Sequence, residues 1–158
     1  MILAVILCGC GEQKSSTVNI DNDLFVKTDS FEQKNVDSAG DVFSFFNKKI
    51  HFDIPENTIS DNMTLVVTEL SGFPNDPYIT FLDVYSFEPE DIDFNKPVTV
   101  KIRYDRSKIP SDIPDEKIML FFYSDNDYWE LIPDSAPFED YIEGEVDSLY
   151  VIASGFIG

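Results

Sequence analysis

The chain is poor in histidine, cysteine and basic residues: its 158 residues include one His, two Cys and eleven Lys or Arg. One imidazole and two thiols are too few for an ordinary zinc site or a disulfide framework. So few bases, with no basic stripe, exclude nucleic acid as a partner, because phosphate binding draws on Lys/Arg patches. They also argue against adsorption to anionic lipid headgroups. No Gly-rich phosphate loop and no CxxC pair occurs. No apolar run reaches the roughly 20 residues that a spanning helix needs.

Acidic and apolar residues are abundant. Thirty Asp and Glu give a formal charge of −19, and 43% of the residues are hydrophobic. That length and apolar content suit one domain with a sizeable core. The acidic excess keeps a domain soluble and discourages strand edges from pairing. It would also steer a cationic partner, at a rate that falls with salt.

Residues 1–9 read MILAVILCG, an uncharged apolar stretch suited to the h-region of an export signal. A basic n-region is absent; either the signal is atypical or the start lies inside a longer one. Leu7-Cys8-Gly9-Cys10 then resembles the lipobox of bacterial lipoproteins. The resemblance implies cleavage between Gly9 and Cys10, a diacylglyceryl group on the Cys10 thiol, and an acylated new amine. The membrane would then be a partner through that lipid, and the domain would lie outside the cytoplasm. The alternative is an apolar N-terminal strand with two ordinary thiols. Residues 10–40 read as the lipidated Cys and a polar tether, with 24–28 as first strand of the domain in the alternative reading. The domain itself is expected over 41–158.

From residue 41 onward apolar residues recur with period two. Val98, Val100, Ile102 and Tyr104 alternate with Thr99, Lys101, Arg103 and Asp105, the pattern of a half-buried strand. Phe52 and Ile54 alternate with His51 and Asp53. Ile118–Tyr123 is continuously apolar, suited to a central strand covered on both faces. Residues 64–70, 79–87, 128–132 and 149–152 are further strand candidates. Asn75-Asp76-Pro77, Glu88-Pro89-Glu90-Asp91, Pro110-Ser111-Asp112, Asp125-Asn126-Asp127 and Pro133-Asp134-Ser135 are turn signals between them. One short helical turn fits near Ser111–Glu116. Many short strands with frequent turns predict an all-β fold, an antiparallel β-sandwich.

The stretch from Phe52 to Ala153 resembles ZU5-like β-sandwich domains. The carrying residues are Phe52-Asp53-Ile54-Pro55, then Tyr85-Ser86-Phe87-Glu88-Pro89-Glu90 and Phe94-Asn95-Lys96-Pro97-Val98-Thr99-Val100. Leu120-Phe121-Phe122-Tyr123 and Trp129-Glu130-Leu131-Ile132-Pro133 complete them. The resemblance implies a protein-interaction module. Some ZU5 domains cleave themselves at His-Phe-Ser; the corresponding place here is Ser148-Leu149-Tyr150, so no autoprocessing is expected.

Physical roles follow from residue type. Pro97 should open a strand, where its missing N–H costs least. Trp129 should plug the core between sheets with its N–H on a carbonyl, or else offer a stacking platform to sugar. His51 should sit on a polar strand face, away from any Ser–His–Asp arrangement. Glu88, Glu90, Asp91 and Asp93, and separately Asp125 and Asp127, are clustered acids. Asp125, Asp127, Glu88 and Glu90 are the calcium candidates, though neither group has an EF-hand pattern. A carboxylate pair for glycoside hydrolysis is the catalytic alternative; solvated turns are the plainer reading. No catalytic residue and no cofactor are expected.

The sequence therefore points to an exported, lipid-anchored envelope protein without catalysis, binding another envelope protein through a sheet face, an edge or loops. A carbohydrate-binding domain using Tyr78, Tyr85, Tyr123 or Tyr128 is the alternative. Three of these exposed in one row would favour sugar. A hydrolase would need a cleft where His51 meets a Ser and an Asp.

Overall fold

The computed structural model describes residues 24–90 and 92–158. They form eleven strands: β1 (Val26–Val36), β2 (Asp41–Phe45), β3 (Ile50–Ile54), β4 (Met63–Gly72), β5 (Ile79–Glu88), β6 (Ile92–Arg103), β7 (Ile118–Tyr123), β8 (Trp129–Leu131), β9 (Ala136–Phe138), β10 (Tyr141–Leu149) and β11 (Val151–Ile157). Two antiparallel sheets result. One has the order β1-β4-β5-β11-β7-β8 and the other β2-β3-β6-β10-β9. The fold is an all-β antiparallel sandwich. Among the described residues the helical content is two 3-10 turns, Arg106–Lys108 and Asp115–Lys117, the second at the end of the stretch expected to hold a helical turn.

Alternation explains the core between the sheets. The five-stranded sheet turns Ile50, Phe52, Ile54, Val98, Val100, Ile102, Ile142 and Val146 inward. Leu65, Val67, Tyr85, Phe87, Leu120 and Ile152 face them from the six-stranded sheet. Phe52 meets Phe87 edge-on across the gap, with ring centroids 5.7 Å apart. Burying each such side chain contributes about 1.5–3 kcal/mol.

The outer face of the six-stranded sheet is apolar too. Leu70, Val84, Met119, Phe121, Tyr123, Trp129, Val151 and Ala153 form a second buried cluster. Phe25, Phe73 and Phe81 pack against it. Ile118–Tyr123 is therefore apolar at every position because β7 has one cluster on each face. Trp129 belongs to this second cluster, not to the core between the sheets. Its ring lies 4.6 Å from Phe81 and its Nε1–H donates to the Pro74 carbonyl at 2.8 Å. The β4–β5 connection thus seals this face.

Three boundaries differ from the sequence reading. Residues 26–36, within the 10–40 tether span, are β1, in keeping with the alternative of a first strand at 24–28, and pair with β4 from Val26↔Gly72 to Val36↔Met63. Pro97 lies inside β6, not at its start. It sits where the register with β10 breaks between Val146↔Val98 and Ser148↔Asp93, a place where no ladder donor is required. The run 149–152 is a crossing: β10 ends at Leu149 in one sheet and β11 begins at Val151 in the other.

The β2–β3 hairpin turns through Phe46, Asn47 and Lys48, all with left-handed φ of 50°, 51° and 67°. Such residues are disfavoured by about 1 kcal/mol or more each. The turn is held from three sides. Glu32 accepts from the Phe46 N–H at 2.8 Å, Tyr141 donates to the Lys48 carbonyl at 3.1 Å, and Phe46 stacks on Tyr85 at 5.7 Å.

Candidate functional site

The outer face of the five-stranded sheet is polar and open. Register places Ser44, His51, Lys101, Glu143 and Ala136 in one row across all five strands. Val42, Asp53, Thr99 and Glu145 form the next row. Within the first row Ser44 Oγ and His51 Nδ1 are 2.8 Å apart, and Lys101 pairs with Glu143.

His51 therefore meets a serine, but its neighbour on the other side is Lys101. Among the described residues no carboxylate hydrogen-bonds to it. Asp53, two residues along the same face, pairs in register with Val42 and Thr99. A triad needs a carboxylate orienting the imidazole. This row has an ammonium beside it instead.

At the β9 end the face deepens into a groove of about 770 Å³. Its floor carries Lys101, Glu143, Glu145 and Asp147; Pro133, Asp134, Ala136, Pro137 and Phe138 wall one side, and Pro97 closes the end. Alternation along β10 creates the floor: Ile142, Gly144 and Val146 point inward, so Glu143, Glu145 and Asp147 point out. Phe138 is 62% exposed and, opposite Tyr141, leaves a large apolar surface at the Glu143 end of the groove. Above the groove Arg103 is fixed by Asp140 at 2.9 Å and donates to the Tyr141 hydroxyl at 3.0 Å.

The calcium candidates are dispersed. Glu88 is ion-paired with Lys27, Glu90 is exposed in the connection after β5, and Asp125 and Asp127 lie within the β7–β8 turn. Among the described residues no group of three His, Cys, Asp or Glu side chains is placed to hold a metal ion. Asp91, Gly9 and Cys10 lie outside the described residues.

The four tyrosines divide. Tyr85 and Tyr123 are buried, at 2% and 5% exposure, whereas Tyr78 and Tyr128 are 73% and 51% exposed. The exposed two do not share a row. Tyr78 precedes Ile79, which pairs with Ile157 at one end of the sheet; Tyr128 precedes Trp129, opposite Tyr123 at the other end. Trp129, at 7% exposure, is no open stacking platform.

Sequence reasoning missed the groove residues Glu145, Asp147, Phe138 and Lys101. The signal was present in Glu143-x-Glu145-x-Asp147, three acids of one parity. It was broken on the other parity by Gly144, which hides the strand. Compared with known protein families and with curated proteins, the chain matches none.

Proposed function

We propose that this is a non-catalytic, lipid-anchored protein of the bacterial cell envelope whose β-sandwich, ZU5-like in its sequence landmarks, displays a binding surface for another envelope protein. The observation that carries this reading is the contrast between the two outer faces. One is sealed by the chain's own aromatic residues, while the other leaves a groove of about 770 Å³ open beside an exposed Phe138. Of the four edge strands β8 and β9 are three residues long, β2 is five, and β1 has register shifts at Lys27, so the open face is the broader surface on offer.

The anchor rests on Leu7-Cys8-Gly9-Cys10. Two or three acyl chains, at about 0.8 kcal/mol per buried CH₂, hold a protein stably where one is marginal. The test is crosslinking in the native envelope with detergent partitioning, comparing wild type and Cys10→Ala. The expected result is a saturable protein partner for the wild type, and a variant that leaves the detergent phase and loses the partner. Crosslinks to abundant neighbours alone would move the weight to a glycan ligand or a passive coat.

A further inference from the structure

The groove along β10 combines an apolar wall with an acidic floor, and its geometry restricts what can lie in it. Pro97, Pro133, Pro137 and Phe138 give flat apolar surface. Four carboxylates, Asp134, Glu143, Glu145 and Asp147, face a single ammonium, Lys101. That ammonium is already paired with Glu143, so Glu145, Asp147 and Asp134 are the charges left for a ligand.

Spacing decides the kind of cation. Successive outward residues of a strand are about 7 Å apart. A calcium ion draws its six to eight oxygens to within about 2.6 Å, so acids strung along β10 do not make a chelate. The same spacing does match alternate side chains of a second extended chain lying along β10. Lysine and arginine stems cover apolar surface while their charged heads reach outward, which suits a groove lined by prolines and acids with Phe138 at its Tyr141 end.

We propose that the groove takes an extended, basic polypeptide segment with Lys or Arg at alternating positions. This deepens, and rests on, the reading of the protein as an interaction module. A second copy is a poor occupant, since each chain carries −19. Residues 11–23 are no better, with Lys14 as the one base against Glu12, Asp21 and Asp23.

The test uses fluorescence anisotropy with the full chain and a short labelled peptide alternating lysine and threonine. A peptide of the same composition with its lysines contiguous is the control. The alternating peptide should bind more tightly than the contiguous one, and added salt should weaken it. Glu145→Gln with Asp147→Asn should weaken binding about tenfold, at roughly threefold for each exposed pair lost. Asp29→Asn with Asp61→Asn removes the same charge from the exposed surface around β1 and β4 and should leave affinity unchanged. Equal loss in both double variants would overturn the proposal, because net charge alone would then explain binding. Equal binding of the two peptides, displacement by an equal concentration of spermidine, or no binding would also overturn it. None of these results depends on the lipid anchor. A specific envelope crosslink without peptide binding would sink the groove assignment and leave the interaction module standing.

Discussion

Replacing Trp129 separates a structural aromatic from a ligand platform. The indole is 7% exposed, touches Phe73, Phe81 and Tyr123, and donates to the Pro74 carbonyl. Truncating a buried Trp to Ala costs about 3–5 kcal/mol, including the cavity it leaves. The lost hydrogen bond is worth about 1 kcal/mol of that. Trp129→Phe keeps most of the ring volume, so it should cost about 1–2 kcal/mol. Against a typical total of roughly 5–15 kcal/mol, the Ala variant should be severely weakened and the Phe variant folded. Urea unfolding followed by circular dichroism measures both. Because Trp129 is the one tryptophan, wild-type fluorescence reports this site alone and should be blue-shifted until the domain unfolds. A Trp129→Ala variant within about 0.5 kcal/mol of wild type, the range of ordinary surface substitutions, would refute the sealed face and restore a sugar platform.

Three further predictions concern the sandwich. Tyr85 is pushed well above its ordinary pKa of 10.0, first by burial and then by the nearby Asp83 and Glu69 charges. The stability this protonated hydroxyl supplies is complete below pH 10.0 and is lost as pH rises beyond it, by about 1.4 kcal/mol per pH unit; Tyr85→Phe should flatten alkaline unfolding by that slope. A Cβ at Gly144 would lie 3.0 Å from Ile132 Cγ2 and 3.1 Å from Ser135 Cβ. Gly144→Ala should therefore cost about 1–3 kcal/mol in denaturant melts. Lys48 holds a left-handed φ of 67°, and its backbone carbonyl makes the Tyr141 contact. Lys48→Gly should raise stability by about 0.5–1 kcal/mol in the same melts.

The sandwich was legible where one physical rule acted alone. Val98, Val100 and Ile102 alternate because β6 has one buried and one wet face. Ile118–Tyr123 is uniformly apolar because β7 has none wet. Legibility failed where two rules collided. Gly144 interrupts the buried parity of β10 because Ile132 and Ser135 already fill that space. The sequence predicts no strand at β9, where Pro137 sits in an edge strand that tolerates it. Trp129 reads as a core residue, and nothing in a period-two pattern says which of two apolar faces it covers with Phe73 and Phe81. The groove was hidden for a related reason: it depends on β9 and β10 lying side by side, while its acids look like any solvated face.

The most direct test of the central claim is a photoreactive residue placed at position 145, in the groove, and in a separate protein at position 130, on the short edge strand β8. Both proteins are irradiated in the native envelope. A saturable crosslink to one protein from position 145, absent from 130 and competed by the alternating lysine peptide, is the predicted result. Crosslinking of the same partner from 130 and none from 145 would contradict the account, because the partner would then sit at the six-stranded sheet.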